Sequence, residues 1–363
     1  MGLPANEIGS ASLVSVSVSA AATGTLQNPA ANWEEHMTFC RKFLGSVAMA
    51  SALAISVSTG ASAADDDHKA EWEKINILFV IWSQSSNSFF EAVVNGAKDA
   101  AADQGVKVDI QFGEEDPNLE KTILETGVAN KVSGIAANIA DDDAYDDVLC
   151  KAMNQGIPVV TFNIDDSKGA EGTCRMAFMG QDFVETGYLI GKRMIKDHAL
   201  KQGDHVFTPV EAPEATYAVL RHAGVKKAMD EIGATTEILG TGNDHGQALN
   251  LMTQYLLGHP DTDAVIGLGQ TPTSQAIQAI KDAGLKIPAG GFDVSKSILE
   301  DIANGRLTAT VDQQPYSQGY YSVTQLALNL KYGLYPSEMD TGGSGLIDKT
   351  NYQYAEKWAG PVR

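Results

Sequence analysis

The sequence predicts an α/β protein built as two doubly wound parallel-sheet lobes. Three observations lead there. Short continuous apolar runs alternate with helically spaced segments. That alternation runs through the first half of the body and then restarts. The chain of 363 residues has room for two domains, and two units of about 100 to 130 residues fit better than one giant sheet.

The elements follow in order. Residues 75–82 read INILFVIW, the mark of a strand buried on both faces. Residues 89–103 carry Phe90, Val93, Val94, Ala97, Ala100 and Ala101 at helical spacing, and Gly105 closes that helix. Strands are expected at 106–112, 134–139 and 157–162, with helices at 118–128 and 143–154 between them. The restart places helices at 183–198, 217–232, 247–257, 274–283, 297–304 and 317–332. Strands at 205–210, 237–239, 264–268, 287–292 and 307–311 alternate with them. A glycine-rich turn at 341–345 precedes a last short segment.

The first 63 residues read differently. Met37 opens a second start, followed by Arg41 and Lys42, an apolar run over 43–57, and Ala61-Ser62-Ala63 before Asp65, Asp66 and Asp67. A positive head, a short apolar stretch and an A-x-A site make residues 37–63 a secretory signal peptide, with cleavage expected near Ala63. The run is short for a membrane span, and Cys40 precedes it, so no lipid anchor is expected. Residues 1–36 read as a non-native or disordered upstream extension from a wrongly chosen start. Cys150 and Cys174 remain after cleavage. Export permits a disulfide between them, with two unpaired buried thiols as the alternative.

Composition narrows the function. With 26 Lys+Arg against 46 Asp+Glu, the net charge of −20 excludes a strongly basic nucleic-acid binder. A hydrophobic content of 44% excludes a disordered chain. No G-x-S-x-G, G-x-x-x-x-G-K-[ST] or H-E-x-x-H motif occurs. His205, His222, His245 and His259 lack ligand spacing, so neither a metal nor a cofactor is expected. The acidic run Asp141, Asp142 and Asp143 is expected to cap a helix.

What remains lies just beyond strand carboxyl ends, where open α/β sheets bind ligands. Trp82 leads into Asn87, Phe89 and Phe90. The next such loops carry Asn163, Asp165 and Asp166, then Glu211, Tyr217 and Arg221. Gly269-Gln270-Thr271, Asp293, and Asp312-Gln313-Gln314 follow. Carboxylates and amides grip hydroxyls as fixed acceptors and donors. Flat aromatic rings cover the C–H faces of a saturated ring.

From residue 75 to the last helix the chain resembles the ribose/galactose-type periplasmic sugar-binding proteins of ABC importers, the type I periplasmic binding proteins. The matching segments are Ser86-Asn87-Ser88-Phe89-Phe90, Asn95-Gly96-Ala97, Gly156-Ile157-Pro158-Val159-Val160 and Gly180-Gln181-Asp182 with Gly187 and Gly191. Leu249-Asn250-Leu251-Met252, Gly291-Phe292-Asp293 and Gly305-Arg306-Leu307-Thr308-Ala309-Thr310 complete the series.

The resemblance implies two lobes joined by a three-crossing hinge. Residues 72–179 with 314–335 would form one lobe, and 180–313 with 336–363 the other. It implies a monomeric, non-enzymatic solute receptor in the periplasm that closes on a sugar or polyol and delivers it to a membrane permease. Sugar contacts are implied at Asn87, Phe89, Phe90, Asn250 and Gln313, with Asp293 and Gln313 near the hinge. Three positions depart from the ribose-binder pattern: Asn163 replaces an Asp (Asp165 lies two residues on), Val219 replaces an Arg (Arg221 and Tyr217 lie close by), and Gln270 replaces an Asp. Charged contacts thus become neutral and weaker, so a different pentose, a hexose, a polyol or a related small polar ligand is expected rather than ribose. The competing readings are an exported sugar-processing enzyme and a LacI-type sensor core. The latter requires a basic helix-turn-helix where this chain has its signal peptide.

Overall fold

A computed structural model of the chain describes residues 68–87, 89–342 and 345–363; the expected signal peptide and upstream extension lie outside them. The first sheet uses β1 (Asn76–Ile81), β2 (Lys107–Phe112), β3 (Gly134–Ala137), β4 (Val159–Asn163), β5 (Ala177–Gly180) and the late strand β11 (Met339–Asp340). Its order is β11-β5-β4-β3-β1-β2, parallel throughout. Helices α1 (Phe89–Gln104), α2 (Pro117–Ala129), α3 (Asp146–Asn154) and the short α4 (Ala170–Thr173) connect the strands.

The unbroken apolar run of β1 has a direct cause. Ile77, Phe79 and Ile81 pack with Val93 and Ala97 of α1. Leu78 and Val80, pointing the other way, pack with Leu124, Val128 and Leu149 of α2 and α3. Edge strand β2 alternates exposed and half-buried positions at its start and buries none fully.

The second sheet repeats the plan. It contains β6 (His205–Val210), β7 (Thr235–Gly240), β8 (Ala264–Gly267), β9 (Ala289–Phe292), β10 (Ala309–Val311) and β12 (Leu346–Asp348). Its order is β12-β10-β9-β8-β6-β7, with β12 antiparallel to β10. Helices α5 (Phe183–His198), α6 (Thr216–Asp230), α7 (His245–Gly258), α8 (Gln270–Asp282) and α9 (Lys296–Ala303) flank it. Helix α10 (Pro315–Tyr332) returns to the first sheet through Val323, Leu326 and Ala327. It lies so close to α1 that a Cβ on Gly319 would come within 2.0 Å of the Val93 carbonyl oxygen. Helices α5 and α6 meet in the same way, with Gly224 against the Val184 carbonyl. A final turn of helix, α11 (Gln353–Glu356), follows β12.

The chain passes between the sheets after β5, after β10 and after β11. Residues 336–363, expected wholly in the second lobe, are divided. Met339 and Asp340 pair with Met179 and Gly180 of β5, and only β12 joins the second sheet. The four-residue strand β5 exposes an edge that β11 covers, and sequence periodicity cannot register pairs that short. The acidic run does not cap a helix. Asp142 accepts the Ser167 N–H, Asp141 accepts the Asp143 N–H, and Asp143 pairs with Lys168 at 2.8 Å. Helix α3 starts later, behind Tyr145, without a side-chain cap.

Cys150 of α3 and Cys174 beyond α4 are disulfide-bonded, with Cα atoms 4.9 Å apart. They close a 24-residue loop around β4. Replacing both with Ser should cost about 3 kcal/mol through the freer unfolded chain, read as a lower urea midpoint. An unchanged midpoint would show that the bond adds nothing.

Glu120 of α2 is 1% exposed. Burial pushes its pKa up to about 8; Tyr145 opposes this by hydrogen bonding, and Asp141 adds to the rise. The folded state therefore keeps a proton that the unfolded chain releases above its ordinary value of 4.5. Stability from this group is intact below that value and declines as pH rises toward 8, by at most about 1.4 kcal/mol per pH unit. Glu120→Gln should shrink the fall in melting temperature between pH 5 and pH 8. An equal fall in both proteins would refute this linkage.

Candidate functional site

The carboxyl ends of both sheets face one cleft of about 720 Å³, counting space open to solvent. The first sheet supplies an aromatic wall. β1 leads directly into Trp82, and the head of α1 presents Phe89 and Phe90, edge to face at 5.0 Å between centroids. Asn87 builds this head. Its side-chain oxygen accepts the Phe89 N–H at 3.1 Å and its nitrogen donates to Ser83 Oγ at 3.0 Å. Trp82 Nε1 is buried without a partner, a free donor on this wall.

The second sheet supplies a charged wall. Arg221 on α6 is 3% exposed. It donates to the Leu268 carbonyl at 2.7 Å and to Gln181 at 3.1 Å, and faces Asp293 at 3.7 Å. Its guanidinium lies 4.3 Å from the Phe292 ring centroid and 5.2 Å from those of Tyr217 and Phe183. Glu211, directly after β6, accepts the Thr271 N–H at 2.9 Å and the Tyr217 hydroxyl at 3.1 Å. Burial pushes Glu211 and Asp293 above the usual carboxylate range, with Arg221 pulling both back. Burial, then the charge of Glu211, lifts Tyr217 well above its ordinary value.

Between the walls runs a buried amide chain. Asn163 Nδ2 donates to Gln313 and Gln318, 3.1 Å each, and Gln313 Nε2 donates to Asp293 at 2.5 Å. Gln318 in turn donates to Thr341 Oγ1 at 3.1 Å. Asn163, Asp293 and Gln314 adopt left-handed backbone, φ 62, 69 and 52. Such conformations cost about 1 kcal/mol or more and concentrate at functional sites.

Ten of the twelve expected ligand residues line the cleft. Trp82, Asn87, Phe89, Phe90 and Asn163 come from the first lobe; Tyr217, Arg221, Gln270, Asp293 and Gln313 complete the set. Asp165 and Asn250 are absent from the lining. Asp165 turns away to accept the Thr161 hydroxyl at 2.7 Å and to hold Arg175 bidentately. Asn250 stands exposed on α7, two positions from buried Ala248 and Met252 and so on the opposite face; it accepts from Gln254 at 3.0 Å.

Arg221 corrects the expectation of neutral contacts. It and Val219 are two positions apart on one helix, about 200° around its axis; Val219 is 50% exposed and Arg221 enters the cleft. Glu115, Ile164, Phe183, Glu211, Ala212, Asn243, Gly269 and Thr271 also line it. Glu211 and Thr271 were visible as residues following strands. Phe183, at the head of α5, reads in sequence like any core position. Among the described residues no group of three or more His, Cys, Asp or Glu side chains could hold a metal ion.

Comparison with known proteins adds an independent line. The model of a periplasmic binding protein domain matches residues 77–333. The xylose/arabinose-binding protein of Sulfolobus acidocaldarius is 26% identical over 245 residues, 63% of this chain; the chain spans 60% of that relative's length. The D-ribose/D-allose-binding protein of Pseudomonas aeruginosa is 28% identical over 286 residues, 76% of this chain and 88% of its own. A carbohydrate transporter structure from Acidothermus cellulolyticus 11B, in complex with myo-inositol, superposes with a TM-score of 0.70 at 28% identity, covering 78% and 98% of the two chains.

The amide chain makes its own prediction. Gln313→Ala strands Asp293 and Asn163 without their shared partner, at a cost of about 1–3 kcal/mol. Urea unfolding should show the loss; full stability would mean that these groups rehydrate freely.

Proposed function

The chain belongs to the periplasmic binding protein domain family, and from that premise we propose that it is the solute receptor of an ABC importer, binding a monosaccharide or polyol between its lobes. The observation that carries this reading is the cleft: aromatic rings on one wall, charged and amide groups on the other, with a polar chain joining them. Trp82, Phe89 and Phe90 would cover the apolar face of a ring. Asn163, Tyr217, Arg221, Gln270, Asp293 and Gln313 would meet its hydroxyls. Asn87 acts by setting the head of α1, and Asp165 by holding Arg175 behind β4.

Binding couples to motion. Periplasmic binding proteins are a known case of hinge closure. A ligand touching both walls favours the closed form by its differential affinity for that form, and by nothing else. Micromolar affinity needs about −8 kcal/mol, within reach of ring stacking and a few charge-assisted bonds after ordering costs. The protein binds its ligand without turning it over. Export to the periplasm through the 37–63 leader and delivery to a membrane permease complete the reading. Among the described residues no helix is long and apolar enough to cross a membrane.

A thermal-shift screen should include myo-inositol, D-xylose, L-arabinose, D-ribose and D-allose. A true ligand at one hundred times its Kd stabilises by about 2.7 kcal/mol. Chromatography of the mixtures should show no product; turnover would favour an exported enzyme instead. Phe89→Ala should weaken the identified ligand about tenfold or more in calorimetry, since Phe89 is only half-buried. Phe90 is the poorer probe, because it is 3% exposed and its loss also opens the core, at about 3–5 kcal/mol. Wild-type affinity in Phe89→Ala would place the ligand elsewhere.

A further inference from the structure

We propose that Glu211 is the specificity-determining group of this cleft: it accepts from ligand hydroxyls and rejects ligands that present a carboxylate to it. This rests on the receptor reading above. No residue-by-residue match to ribose binders pointed to Glu211, because those matches concerned Asn163, Val219 and Gln270.

The seat is built around the carboxylate. β6 delivers Glu211 to the cleft, and the Gly242 N–H holds its carbonyl at 3.0 Å. Oε1 accepts the Thr271 N–H in the first turn of α8, where unpaired amides and the helix dipole favour an anion. Oε2 takes the Tyr217 hydroxyl. A Cβ at position 269 would fall 2.1 Å from Oε2, so Gly269 clears the space the carboxylate occupies. Burial raises the Glu211 pKa, but the Thr271 N–H and the Arg221 charge oppose that rise and favour the anion, and an ionised carboxylate has about four acceptor positions. Two are used by the protein here, and Glu211 lines the open cleft with the rest.

The wall therefore has an excess of acceptors. Two carboxylates, half-buried Glu211 and buried Asp293, share the field of one guanidinium. Arg221 faces Asp293 at 3.7 Å, and its hydrogen bonds go to Leu268 and Gln181. A hydroxyl pair turned toward Glu211 satisfies it. An O-methyl group or a carboxylate leaves it unpaired or repelled in a site of low dielectric, and sites of this kind discriminate strongly.

Calorimetry on the full-length exported protein tests this with D-glucose against D-glucuronate, D-galactose against D-galacturonate, and myo-inositol. Each hexose and its uronate differ only in CH₂OH against COO⁻. The wild type should prefer the neutral member at least thirtyfold. Glu211→Gln should weaken neutral binding tenfold or more and narrow the neutral-to-uronate ratio tenfold. Gly269→Ala, which displaces the carboxylate without deleting it, should weaken neutral binding in the same direction. Circular dichroism and the ligand-free melting temperature establish that both variants fold. If a probe binds the wild type and both folded variants bind it equally well, the Glu211 proposal is wrong and the receptor reading stands. An unchanged ratio in Glu211→Gln has the same meaning. If none of the five probes binds the wild type, the receptor reading fails for these sugars and the proposal falls with it.

Discussion

The structure depends on a buried hydrogen-bonded chain at the junction of its two sheets. Each backbone crossing contributes a side chain to it: Gln181 after β5, Gln313 after β10, Thr341 after β11. Asn163 and Gln318 tie the chain to the first lobe, and Asp293 and Arg221 tie it to the second. The crossings also bond one another directly, Thr341 N–H to the Gly180 carbonyl and Gln314 Nε2 to the Thr341 carbonyl. Inside a protein such a network is strong when satisfied and costly when any member is removed. Amides suit the position because each offers a donor and an acceptor at once.

The network sets the contrast between hinge and lobes. Away from the crossings, each lobe is a sheet buried on both faces and closed by a pair of helices in glycine-mediated contact: α1 with α10, α5 with α6. Packing that close leaves little freedom within a lobe. The crossings, by contrast, are held by polar bonds, which can exchange partners. Two donors in or beside the network, Arg221 Nε and Gln181 Nε2, are buried without partners. Trp82 Nε1 on the opposite wall is in the same condition. Of these, Arg221 and Trp82 border the cleft, where a hydroxylated ligand could meet them.

The cleft's chemistry is more charged than residue matching suggests. Val219 occupies the matched position but lies on the outer face of α6, and the guanidinium arrives from Arg221. Asn250 sits in a well-matched segment and still faces solvent, because Ala248 and Met252 claim the buried side of α7. Asp165 is drawn off by Arg175. In each case the helix phase or a competing ion pair decides the outcome.

The sequence alone was sufficient for the two-lobe α/β architecture, the near-complete order of strands and helices, and the loops that meet at the cleft. Apolar runs such as that of β1, and helical spacing such as that of α1 and α5, are local properties that burial on both faces imposes on any such sheet. It could not reveal β5 and β11, whose pairing joins residues about 160 positions apart and whose four and two residues carry no periodic signal. Nor could it single out Glu211, which becomes distinctive only when Thr271, Tyr217 and the empty space at Gly269 gather around it. Those are decisions of tertiary structure, because a hydrogen-bond partner far away in sequence leaves no mark on the local pattern of the chain.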